Sequence, residues 1–137
     1  MMKTEKEFEM AKKQLAKLTE LYDTQLSELT DKGLTKEQAK ESLSSSWTYA
    51  MQCKEEIELY EKLKKGELPS MEHFSTKGKY FVAARIAKGM TQRELAERLG
   101  VKESAVSRDE RNEYHGMSVE KMERLAHALN LKILISA

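Results

Sequence analysis

Few side chains in this sequence have both the type and the spacing to do chemistry. His73, His115 and His127 are far apart and lack ligand spacing, so no metal site is expected. Cys53 is the only cysteine, which excludes an intrachain disulfide and fits a reducing compartment. Nothing beside it marks an activated thiolate, so it reads as a small core residue. There is no phosphate-cradling glycine loop, no paired histidine with a carboxylate, and no serine or cysteine beside a base at a known spacing. The sequence therefore predicts no catalytic residue, no cofactor and no enzymatic activity. What remains is a polar set inside Thr91–Arg111, "TQRELAERLGVKESAVSRDER". Lys102, Glu103, Ser104, Ser107 and Arg108 read as the exposed side of one short helix. Such groups donate and accept hydrogen bonds and carry charge, and their chemistry is recognition of a polar surface.

Two helices must position that set. Thr91 caps the first, which buries Leu95, Ala96 and Leu99. Gly100 makes the turn because it can adopt positive φ, and the second helix begins near Lys102. Ala96 stands where the helices cross closely and must be small, while Val106 or its neighbour Ala105 plugs the core. The flanking sequence supplies the rest of a bundle. A helix from about Thr76 to Lys88 buries Phe81, Val82, Ala84 or Arg85, and Ile86. "NEYHGMS" is a loop in which Tyr114 turns to the core. Ser118 caps a helix burying Val119, Met122, Leu125, Ala126 and Leu129. The tail "LKILISA" reads as a short β-strand, with Ile133 and Ile135 on one face and Leu134 on the other.

"MTQRELAERLGVKESAVSRDER" followed by "NEYHGMSVEKMERLAHALNL" resembles the signature of the Xre family, the helix-turn-helix fold of Cro and lambda-type phage repressors. The resemblance covers about residues 76–131 and implies a five-helix DNA-binding domain, with the helix 102–111 lying in the major groove of double-stranded DNA. By that resemblance Glu103, Ser104 and Arg108 read base edges. Thr91, Gln92, Lys102, Ser107 and Arg111 contact the sugar–phosphate backbone or support the readers. Arg85, Ala96, Gly100, Val106 and Glu110 are structural, Arg85 and Glu110 as a partly buried ion pair. Two positions depart from the pattern. Glu103 stands where glutamine is usual. Asp109 stands where an apolar or aromatic residue is common, so it is either exposed or paired with a nearby base such as Arg111 or Arg108.

The remainder of the chain is different in kind. Residues 4–30 carry Phe8, Ala11, Leu15, Leu18, Tyr22 and Leu29 in a heptad-like seam, predicting one long helix that ends near Gly33. Thr35, with Gln38 three residues on, opens a second helix running to about Lys65. Its seam is Leu43, Ser46, Ala50, Cys53, Ile57 and Tyr60, flanked by Trp47 and Leu63. The two predict an antiparallel hairpin, and the overall fold class is all-α. "KGELPS", with Gly66 and Pro69, is the clear break, so the expected domains are 1–69 and 70–137.

Among 137 residues, charged types make up 34% and aromatics 7%, which favours solvated helices over a large enzyme core. The net charge of +1 conceals an asymmetry. Residues 1–74 hold 12 basic and 15 acidic groups, and residues 75–137 hold 12 and 8. The second half is thus the one suited to a polyanion. No stretch has the length of a signal peptide or a membrane span, and a cytoplasmic location without membrane contact is expected. A lone hairpin buries little surface for its entropy cost, which points to a homodimer, to a protein partner at the hairpin, or to docking on the rest of the chain. The sequence supports a DNA-binding repressor, and leaves open an antitoxin that covers a toxin or a coactivator that bridges other proteins.

Overall fold

The computed structural model describes residues 1–137 as an all-helical chain with seven α-helices and one 3₁₀ turn. It divides into two compact units, Met1–Tyr60 and Glu61–Ala137. No helix is long and apolar enough to cross a membrane.

In the first unit, α1 spans Glu5–Asp31 and is capped by the Thr4 hydroxyl, which accepts from Glu7 N–H. It ends before Gly33, whose φ of 100° only glycine adopts readily. The expected second helix is broken into two, a correction to the continuous reading. Helix α2 spans Lys36–Ser42 and α3 spans Ser44–Lys64. At Leu43 the amide is shared between the carbonyls of Ala39 and Lys40, and regular bonding resumes with Trp47 N–H to Leu43 O. The cause lies in "SLSSS": short hydroxyl side chains compete with the backbone for its own partners and weaken the helix there.

Helix α3 returns antiparallel to α1. Phe8 stacks on Tyr60 at 4.8 Å, the Cys53 thiol lies 3.8 Å from Ala11 O, Gln14 donates to the Tyr49 hydroxyl, and Tyr22 meets Trp47 at 5.1 Å. Only Met2, Phe8, Ala39, Ala50, Ile57 and Tyr60 are buried in this unit. Ser46 is exposed rather than on the seam, and Trp47 keeps 46% of its surface in solvent.

The second unit has a denser core. Beyond the last turn of α3, a 3₁₀ turn at Phe74–Thr76 leads into α4 (Lys77–Ala87), followed by α5 (Gln92–Leu99), α6 (Glu103–Arg111) and α7 (Val119–Ala128). Six consecutive residues of α4, Phe81–Ile86, are buried, so α4 is wrapped on nearly all sides. Both Ala84 and Arg85 are inside, where the sequence left a choice between them. Gly78 allows the closest approach: a Cβ there would lie 1.7 Å from Glu113 O, in the loop after α6. Val119 was expected in the core and is 68% exposed, because it is the first residue of α7 and precedes the turn that packs.

The expected C-terminal strand is absent. After Leu131 N–H bonds to Ala126 O, the tail has no strand assignment, since this all-helical chain offers it no edge to pair with.

Candidate nucleic-acid interface

The polar set is held by a helix pair built from local rules. Thr91 and Glu94 form a reciprocal capping box at the start of α5, which leaves the Gln92 and Arg93 amides without partners in the chain. Gly100 closes α5 in the left-handed conformation, φ 68°. Leu95, Ala96 and Val106 are each no more than 2% exposed, and Ala96 lets the two helices approach. Helix α6 starts differently. Its N-cap is Lys102, whose side chain makes no capping bond. Lysine is a poor N-cap, so this end keeps unsatisfied amides beside a cation.

Helix α6 is two-sided. Val106 and Glu110, four residues apart, face inward. Ser104, Arg108 and Arg111 follow one line on the outside, with Glu103 and Ser107 beside it. Glu103, Ser104, Arg108 and Arg111 are exposed, Ser107 is half-buried, and Lys102 is exposed at the tip. Lys102, Arg108 and Arg111 have no ion-pair partner within the chain. Nine residues give α6 a length of about 13.5 Å.

The inner side is a buried charged network. The Arg85 Nε donates to Glu110 Oε1 at 2.5 Å and its Nη2 to Oε2 at 3.0 Å, while Nη1 donates to Met90 O. Both side chains are almost wholly buried, and no buried polar side-chain atom lacks a partner. Gln92 Nε2 adds a third bond to Glu110, at 2.8 Å. That bond sets the start of α5 beside the last turn of α6. Thr91, Gln92 and Arg111 therefore gather near one end of α6 and Lys102 stands at the other.

Two contacts were not legible in the sequence, those of Asp109 and of Arg98. Asp109 is paired with a base as expected, but the partner is Lys121 of α7 at 2.6 Å and not Arg108 or Arg111. The partner lies across a loop, so no helical spacing signals it. Tyr114 was expected in the core and is there, 6.5 Å edge-on from Phe81. Burial, and secondly the Glu110 carboxylate, push its phenol well above the usual range. Arg98 donates to Ala128 O, closing the C-terminal end of α7. No cluster of His, Cys, Asp or Glu has the arrangement to hold a metal.

A family model described as helix-turn-helix matches residues 82–135, which include the last six residues of α4, all of α5 to α7, and most of the tail. No curated protein and no solved structure matches the chain.

Proposed function

We propose that residues 82–135, which match a family model described as helix-turn-helix, form a DNA-binding domain of the Xre type, and that the protein is a transcriptional regulator that reads duplex sequence by laying α6 in the major groove. The observation that carries this is the line of exposed Ser104, Arg108 and Arg111 along α6, opposite the buried Val106 and Glu110. Arg108 has no partner in the chain and can bond both acceptors of a guanine edge. Ser104 reads either polarity. Glu103 accepts from the amino group of cytosine and is repelled by phosphates, which shifts its preference away from that of a glutamine.

Backbone contacts fall at the two ends of α6. Lys102 and the open amides of the α6 N-terminus serve one phosphate. Arg111, Thr91 and the free amides of Gln92 and Arg93 serve another. A rod of about 13.5 Å between two cationic ends suits a groove about 12 Å wide. One α6 covers only a few base pairs, so two copies bind half-sites about 34–36 Å apart. A protein seated there excludes others from the same groove, which makes repression the simplest outcome.

Selection from random duplexes tests the reading. Wild type should enrich one motif, and Arg108→Ala should lose preference at one position per half-site, by about 1–3 kcal/mol. An unchanged motif from the Arg108 variant would falsify the groove assignment.

A further inference from the structure

We propose that the cleft where α5 and α7 end is a docking site for a short acidic segment of a partner protein, with apolar residues among its carboxylates. The cleft has a volume of about 380 Å³ and is lined by Arg98, Leu99, Arg124, His127 and Ala128. Every charged or titratable side chain in that lining is basic. The fold leaves these groups largely unused. Arg98 donates from Nη1 to Ala128 O and makes no ion pair, and the side chains of Arg124 and His127 have no partner in the chain. The carboxylates within helical reach are held elsewhere or stand apart. Glu94, four residues before Arg98, belongs to the capping box of α5, and Glu97 pairs with Arg93. Glu120 and Glu123, four residues before Arg124 and His127, form no ion pair.

Two helix C-termini meet at this cleft, and each carries about half a negative charge. Arg98, in the last turn of α5 and bonded to the last carbonyl of α7, offsets them. Arg124 stands a full turn before the end of α7 and is surplus to that task. The shape says what kind of anion fits. Leu99 and Arg124 also line a second groove, of about 160 Å³, with Val101, Ala105 and Leu125 among its other walls. Its one carboxylate, Asp109, is already held by Lys121. Val101 is 48% exposed, so apolar surface continues outward from there. A basic mouth therefore runs into an apolar floor. A peptide with both kinds of side chain can lie along the two grooves. A compact anion would fill only the first, and a phosphodiester backbone has nothing to bury on Val101.

The site is separate from the face proposed to read the duplex. No residue of α6 lines the basic cleft. Arg98 is six residues along α5 from Gln92, about 9 Å away and at the opposite end of that helix. A regulator built this way holds a partner while the line of Ser104, Arg108 and Arg111 is occupied. The site is small, so the contact is of the weak, reversible kind, strengthened when other surfaces of the partner also engage.

The test is an NMR titration of the isotope-labelled full chain. The probe is an acetylated synthetic peptide of glutamate with a leucine at every third position. The amides of Arg98, Leu99, Val101, Arg124 and His127 should shift together and saturate. The same peptide with glutamine for glutamate should bind about tenfold more weakly or worse. Arg124→Glu should weaken the glutamate peptide by about tenfold or more, because like charges then face each other. Helix content should not change, because the Arg124 side chain is exposed and has no partner in the chain. Arg108→Ala should bind the peptide as wild type does, and duplex DNA of mixed sequence should not displace it. Four results would each overturn the proposal. They are no saturable shift at the cleft up to millimolar peptide, equal binding by the glutamine peptide, equal binding by Arg124→Glu, and displacement by duplex or loss in Arg108→Ala, which would mark the peptide as a stand-in for phosphates on α6. None of them depends on α6 entering a groove, so failure here is distinct from a failure of DNA reading.

Discussion

The two units solve the same problem with opposite means. Unit Met1–Tyr60 builds long helices and buries six apolar side chains, two of them alanines. Unit Glu61–Ala137 builds helices of 8 to 11 residues and buries fifteen, together with a charged pair. Long helices draw on capping, propensity and a narrow seam. Short ones are marginal alone and hold only through tertiary packing. The difference matters for recognition. In the second unit α6 is fixed on its inner side by Val106, Glu110 and Asp109, so its outer side chains present a rigid line. Nothing comparable fixes the flanks of the hairpin, where Met10, Leu21, Trp47 and Tyr49 are exposed.

The largest effect should come from the charged pair, which has no counterpart in the hairpin. Arg85→Ala strands the Glu110 carboxylate in the core and should cost about 3–5 kcal/mol. Base preference should survive at a temperature where the variant is folded, because Arg85 does not reach the outer face of α6. Replacing both partners, Arg85→Met with Glu110→Leu, should recover most of the loss. Urea unfolding of the three proteins checks this, and equal midpoints for Arg85→Ala and wild type would show that the pair is not a keystone.

The second prediction compares the cores directly. Leu125 is fully buried in the second unit, and Leu125→Ala should cost about 4 kcal/mol. Phe8 keeps 8% of its surface exposed and stacks on a single ring. Its site can collapse, so Phe8→Ala should cost only about 2 kcal/mol despite deleting more atoms. The single tryptophan, Trp47 against Tyr22 in the hairpin, reports that unit by fluorescence, and circular dichroism reports both. Equal costs would break the contrast drawn between the units.

The same contrast governs what could be read in advance. Local chemistry was legible: the Thr35 capping box, the Thr91 cap, the left-handed Gly100, and the antiparallel return of α3 on α1 all follow from neighbouring residues. The outer face of α6 was legible too, since helical periodicity and a family signature point the same way. Features set by distant parts of the chain were not. Asp109 finds Lys121 across a loop, and Gly78 is required by a carbonyl 35 residues away. The break at Leu43 lay in plain view as "SLSSS", yet a seam drawn through Ser46 concealed it. The tail has strand composition without a strand, because composition sets what a segment can pair with and topology decides whether anything is there.

The smallest effect distinguishes the units as surfaces. Lys102 is exposed at the N-cap of α6, pairs with nothing in the chain and lies outside the line of Ser104, Arg108 and Arg111. Lys102→Ala should weaken binding by a similar factor on every duplex and lower the slope of log affinity against log salt by about one. Lys54 is also exposed, but on α3, where it pairs loosely with Glu58 at 4.0 Å. The first unit carries 9 basic and 12 acidic groups, a net −3 that repels phosphates, whereas the second carries 15 and 11. Lys54→Ala should therefore leave the slope unchanged. Titrations of one duplex at several salt concentrations decide between the two surfaces. A slope that falls for Lys54→Ala as much as for Lys102→Ala would place the hairpin against the phosphates as well, and the division of labour between the units would have to be redrawn.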